Sequence, residues 1–211
     1  MPGQEAVCIG DCVPDLAGTA ILGDDVGDLN LQAYKSTNHY LVVIFVPSTK
    51  RSPRKPSCFA ELAQMGEEMV KELHEKFKTY VVGVVDATPE QVGAWMAEEG
   101  VEGKSRCLSY PVICDPCGEF SSVFGMWQRG SSGGGLFRGH VIVNETGRLR
   151  HVTINHPEIS RNQHELFRLV AAFKHTDVHG EVCPAEWKPG DATIIPDAVG
   201  SQEFFRKKWG T

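Results

Sequence analysis

The stretch YLVVIFVP, residues 40–47, is an unbroken apolar run, rich in β-branched residues, that ends at a proline. A strand with one wet face would alternate polar and apolar residues. A continuous run of this length reads as a strand buried on both faces, as in the middle of a parallel sheet. Working outward, YVVGVVDAT (80–88) has the same character and YPVICD (110–115) gives a third strand. Between the first two, Phe59, Leu62, Met65, Met69, Leu73 and Phe77 recur at spacings of three and four, opposite Glu67, Glu68, Lys71 and Glu75, which predicts a helix. PEQVGAWMAEEG (89–100) predicts a second helix, opened by its proline. Strand, helix, strand, helix, strand argues an α/β fold with a parallel sheet.

Downstream come a helix near residues 117–127, a Gly-rich loop QRGSSGGG, and HVIVNETGRLRHVTI, which reads as two strands joined by a turn at Glu145–Gly147. This antiparallel hairpin would close the sheet. A last helix is expected over residues 161–174 with Leu166, Leu169, Val170 and Phe173 inward. The remainder, rich in Pro, Gly and charge, reads as an arm. The expected division is a domain over 5–174 and a C-terminal arm over 175–211, without internal repeats.

A chain of 211 residues with 41% hydrophobic content can bury a full core as one domain. The formal charge of −6, with Lys and Arg clustered only at residues 50–55, argues against a nucleic-acid partner. No apolar stretch reaches the ~18 residues of a membrane span, and MPGQEAVCIGDC lacks signal or transit features, so no membrane partner and a cytosolic location are expected. Seven cysteines, an odd number at low density, favour thiol chemistry over structural disulfides.

HGEVCPAEWKPG (179–190) resembles the C-terminal signature of the typical 2-Cys peroxiredoxins, and IGDCVPDL, YPVICD and FRGHVIVNETGRLRHVTIN (137–155) follow that family's order and spacing. The similarity covers about residues 7–208. It implies a thioredoxin-like fold with a central mixed sheet, and a thiol peroxidase with no metal or bound cofactor. It also implies a homodimer or a decamer of five dimers, regenerated by a thioredoxin-like dithiol reductant. By position, Cys58 would attack the peroxide, Cys183 of the partner subunit would resolve the sulfenic acid, and Arg138 would polarise the peroxide. Arg161 sits where the family has a second active-site arginine, and Glu61 matches the glutamate three residues beyond the catalytic cysteine.

The chemistry suits those residue types. A thiolate attacks an O–O bond, and a cysteine in the first turn of a helix sees the partial positive charge of unpaired N–H groups, which favours the thiolate. Cys58 follows Ser57, a plausible N-cap. Arg138 offers a rigid fork of donors to thiolate and departing oxygen alike. Each residue also has a structural reading: Cys58 as a small buried apolar side chain, Arg138 as a surface ion pair, Arg161 as a helix-start residue.

The chain departs from the family in the loop before Cys58. From Pro47 to Cys58 there are four residues too many, Lys55 stands in the threonine or serine position, and Phe59 replaces a proline. The lost hydroxyl would help position peroxide, so the alternative reading is a peroxiredoxin-fold chaperone or assembly module with little peroxidase activity. Ser57, Ser52 and Thr49 are the candidate substitutes, and Ser52 lies in SPRK, a match to proline-directed kinases. CDPC (114–117) invites a disulfide-reductase reading but follows the third strand, where a thioredoxin-type pair follows the first. Eight scattered His without paired ligand spacing argue against zinc. EEGVEGKSR keeps only Gly100 and Gly103 of a family loop linked to oxidation sensitivity, while Phe204 and Phe205 resemble its Tyr-Phe partner, which together predict intermediate sensitivity.

Overall fold

A computed structural model describes residues 5–23, 25–35, 37–48, 61–63, 65–97, 108–128, 134–156 and 159–210. The chain forms two compact units, Met1–Arg161 and Asn162–Thr211.

The first unit is built on a seven-stranded mixed sheet in the order β2-β1-β5-β4-β3-β8-β9. Its strands are β1 (Ala17–Leu22), β2 (Asp25–Asn30), β3 (Tyr40–Val46), β4 (Thr79–Val85), β5 (Val112–Cys114), β8 (Arg138–Val143) and β9 (Leu149–Asn155). The three apolar runs are the parallel centre: β3 pairs with β4, and β4 with β5, with Val46 opposite Val85. Every residue of β3 is buried, as its composition requires. The β8–β9 hairpin closes one side antiparallel to β3, and an N-terminal hairpin, β1–β2, closes the other. Two short strands, β6 (Trp127–Gln128) and β7 (Gly135–Leu136), pair beside the Gly-rich loop.

Alternate residues of the centre, Val43, Phe45, Val82, Val84, Ile113, Val141 and Val143, pack with Phe120, Phe124 and Met126 in the main core. On the opposite face Gly83 lets Leu62 and Tyr110 approach: a Cβ there would lie 3.3 Å from Leu62 and 3.4 Å from Tyr110. Helix α1 is Gln32–Lys35, α2 Glu67–Phe77, α3 Pro89–Ala97 and α4 Glu119–Val123. The continuous helix expected over the Phe59–Phe77 stripe is divided instead. Residues 61–63 are helical, Met65 bends, and α2 restarts after Gly66, whose backbone is extended. Gly lacks the side chain that would hold a helix through this point, and Glu67 and Glu68 favour a new N-terminus.

In the second unit α5 runs Gln163–His179, five residues beyond the expected end. Asn162 caps its start and Gly180, in the left-handed region, ends it. The apolar periodicity stops at Phe173, but no Gly or Pro breaks the backbone until Gly180. The tail carries secondary structure of its own: Val182 and Ile194 bridge, and α6 (Gly200–Trp209) follows. No helix among the described residues is long and apolar enough to cross a membrane.

Candidate active site

The parallel strands β3 and β4 end at Val46 and Val85, and the antiparallel β8 begins at that same end of the sheet, with Gly139 opposite Phe45. Arg138, the first residue of β8, therefore stands beside the point where the chain leaves β3. Arg161 lies just before the Asn162 cap, and Glu61 in the helical turn 61–63. The three side chains meet out of water: Arg138 is 2% exposed, Glu61 4% and Arg161 8%.

One carboxylate oxygen of Glu61, Oε2, accepts from Arg138 Nη1. The other, Oε1, accepts from Arg161 Nε at 2.7 Å and from the Arg161 backbone N–H at 3.2 Å. Arg138 Nη1 also donates to Ser160 Oγ at 2.9 Å. Arg161 Nη1 and Nη2 donate to the carbonyls of Gly139 and Phe45, each at 3.0 Å, so one guanidinium ties β3 to β8. Among the described residues, two guanidiniums share the Glu61 carboxylate in a buried site. Burial holds Arg161 below the usual guanidinium range, while Glu61 pushes it back up. Tyr110 donates its hydroxyl to the Leu62 carbonyl at 2.6 Å, tethering the turn that carries Glu61, and burial pushes that phenol up.

The reading of Arg138 as a surface ion pair gives way to its burial. Arg161 both precedes a helix cap and belongs to the cluster. Cys58 lies outside the described residues, with Thr49, Ser52, Lys55, Ser57 and Phe59; it is the third residue before Glu61 in the chain. The region 98–107, with Cys107, lies outside them too.

Cys183 sits in the second unit, partly buried, its thiol 3.7 Å from the Ala172 carbonyl and 3.8 Å from Thr176 Oγ1. Cys114, inside β5, is buried, and burial first and Glu90 second push its thiol up to about 11. Burial thus disfavours the Cys114 thiolate, the opposite of the shift that activates a disulfide reductase's attacking cysteine. Phe204 and Phe205 lie on α6 with ring centroids 5.8 Å apart.

Sequence reasoning missed Ser160, Tyr110 and the carbonyls of Phe45 and Gly139. Gly139 carried a signal: glycine inside a strand marks close backbone approach, and a Cβ here would strike the Thr153 carbonyl and meet Met126 Sδ at 3.0 Å. No pattern marks a backbone carbonyl as an arginine acceptor.

A profile of the AhpC/TSA family matches residues 9–152, more than half of the chain. The chain belongs to the AhpC/TSA family of peroxiredoxins. A second profile, the C-terminal domain of 1-Cys peroxiredoxin, matches residues 172–207, which include Cys183. This peroxiredoxin is 34% identical to Peroxiredoxin-2 of Rattus norvegicus over 202 residues, covering 94% of this chain and 96% of that one. It is 33% identical to Peroxiredoxin-4 of the same species over 197 residues, 92% of this chain and 67% of that one. Among solved structures it resembles the reduced 2-Cys peroxiredoxin of Plasmodium vivax, with a TM-score of 0.80 at 20% identity over 93% of this chain and 97% of that one. It also resembles AhpC of Enterococcus faecalis, with a TM-score of 0.70 at 24% identity over 84% and 99%. Both likenesses speak for the thioredoxin-like peroxiredoxin fold.

Proposed function

We propose that this peroxiredoxin is a thiol peroxidase for hydrogen peroxide and small organic hydroperoxides, with Cys58 as the attacking residue. The thiolate takes one peroxide oxygen as the O–O bond breaks, the other oxygen leaves with a proton as water or alcohol, and Cys58 becomes a sulfenic acid. Cys183 of a partner subunit then forms a disulfide with Cys58 and water departs. A thioredoxin-like dithiol protein reduces the pair. The unit is a homodimer at least, working in the cytosol, where free thiols persist.

The observation that carries this reading is the buried cluster of Arg138 and Arg161 around Glu61, near the end of β3 and three residues along the chain from Cys58. Guanidinium donors in a water-excluded site favour both a thiolate and charge developing on a leaving oxygen. Stopped-flow consumption of hydrogen peroxide is expected to be fast in the wild type and abolished in Cys58→Ser. Equal rates in the two proteins would overturn the assignment.

The longer loop, with Lys55 and Phe59 at altered positions, favours a second reading as a chaperone or assembly module. Client aggregation suppressed equally by wild type and Cys58→Ser, with no peroxide turnover in either, would establish it.

A further inference from the structure

The stretch CIGDC, residues 8–12, carries two cysteines that the cluster of Glu61, Arg138 and Arg161 does not use, and both are exposed. The Cys8 carbonyl accepts from the Asp11 N–H at 3.1 Å, closing a turn over Cys8–Asp11, and the Cys8 N–H donates to Asp11 Oδ2 at 3.2 Å. Gly10, at φ +99°, takes the third position of this turn, where a type II turn needs a positive φ. The turn is anchored on the β8–β9 hairpin. The Gly10 N–H donates to the Leu149 carbonyl at 2.8 Å, and the Leu149 N–H donates to the Asp11 carbonyl at 2.9 Å. Arg148 Nη1 donates to the Gly10 carbonyl at 2.8 Å. Cys12 bridges Arg148, and the Val13 N–H donates to the Gly147 carbonyl at 2.9 Å. These contacts lie at the turn end of the hairpin. Arg138 stands at the other end of β8, which runs Arg138–Val143, roughly 17 Å away along the strand.

We propose that Cys8 and Cys12 form a redox site separate from the buried cluster: an exposed dithiol that closes to a disulfide by exchange with a low-molecular-weight disulfide of the glutathione class. One cysteine gives up its proton, its sulfur attacks a sulfur of glutathione disulfide, and that S–S bond breaks. The first glutathione leaves as a thiolate and takes up the proton. The second cysteine, deprotonated in turn, attacks the protein sulfur of the mixed disulfide, and the second glutathione leaves and is protonated in the same way. Two protein thiols are oxidised to one disulfide, and one glutathione disulfide is reduced to two thiols. The inference does not rest on the peroxidase reading.

Three features favour closure here. A disulfide needs α-carbons within about 7 Å. The turn already holds those of Cys8 and Asp11 within about that distance, and Cys12 is the next residue. The Cys8 thiol donates to the Ala6 carbonyl at 3.8 Å, a weak sulfur contact at the surface that a side-chain rotation breaks at small cost. The backbone of both cysteines is held on the hairpin, so the two thiols meet at a higher effective concentration than in a free chain. Access separates this pair from the other cysteine pair close in the chain. Cys117 is exposed, but Cys114, three residues before it, is buried inside β5, out of reach of a soluble disulfide.

The test equilibrates the reduced full-length protein with mixtures of reduced and oxidised glutathione, quenches with acid and reads the tryptic peptides by mass spectrometry. The first Lys or Arg of the chain is Lys35, so one peptide, residues 1–35, holds both cysteines and no others. In the wild type this peptide is expected to lose two hydrogens. In Cys8→Ser and in Cys12→Ser, which cannot close, it is expected to carry one glutathionyl group instead. The equilibrium constant for closure against glutathione is expected to be about tenfold higher in the folded protein than in the same protein unfolded in urea. A wild-type peptide that stays reduced, stops at the glutathione adduct or becomes joined to another peptide overturns the inference. So does a constant equal to or below that of the unfolded chain, because the anchored turn would then not be what pairs the two thiols.

Discussion

Glu61 and Glu181 each accept hydrogen bonds from two other side chains, in opposite settings. Glu61 is enclosed by two guanidiniums at 4% exposure. Glu181 is partly exposed and shared between an imidazole and a hydroxyl. Breaking the first strands buried charge; breaking the second hands two polar groups back to water. A buried ion cluster therefore holds its geometry against thermal opening, while the exposed one can open and close at small cost. A peroxidase of the kind proposed needs both: a charge field that stays in place for the attacking sulfur, and a resolving sulfur that can leave its resting position.

The sharpest way to break this contrast is Glu61→Gln. Arg138 and Arg161 would lose the buried carboxylate they share, and unfolding in urea should show a loss of about 3 to 5 kcal/mol. A loss below about 1 kcal/mol would mean that water reaches the cluster and that the two glutamates are alike.

Alkaline titration probes the first unit through a different group. The folded Cys114 thiol keeps its proton until about 11, whereas an unfolded thiol loses it near about 8.5 to 9. Its contribution is thus complete below that unfolded value and is lost as pH rises through 11, by roughly 1 to 3 kcal/mol. Urea midpoints measured across this range should fall more steeply in the wild type than in Cys114→Ala, with Tyr110, also pushed up, keeping some slope in both.

The smallest expected effect on stability is that of Thr193→Val. It removes the hydroxyl that Glu181 shares, and should change stability by no more than about 1 kcal/mol while raising the rate at which Cys183 is alkylated. A stability loss matching that of Glu61→Gln would show that the second cluster is as rigid as the first.

Much of this was legible in the residues. The continuous apolar runs of β3 and β4 admit little but a strand buried on both faces, because no polar face is present to meet water. The β8–β9 hairpin follows from two strand-like runs around a short turn. The break at Gly66 and the extension of α5 to His179 were harder to read. An apolar stripe reports which face is buried, not whether the backbone beneath it is continuous, and α5 keeps its hydrogen bonds after its apolar stripe has stopped. Helix α6 was hidden by a composition of Gly, Pro and charge, although its three basic residues near the end suit a helix C-terminus.

The same division holds for the site. The resemblance to the 2-Cys peroxiredoxins, carried by the tail signature and the hairpin, singled out Cys58, Glu61, Arg138, Arg161 and Cys183 by position. Only the tertiary structure decided that Glu61, Arg138 and Arg161 share one buried cluster, though Glu61 and Arg161 are 100 residues apart. It also decided that Ser160, Tyr110 and the carbonyls of Phe45 and Gly139 complete their surroundings. Whether a charge is exposed or enclosed depends on which strand ends meet. That is set by sheet order and register, which no local pattern around an arginine contains.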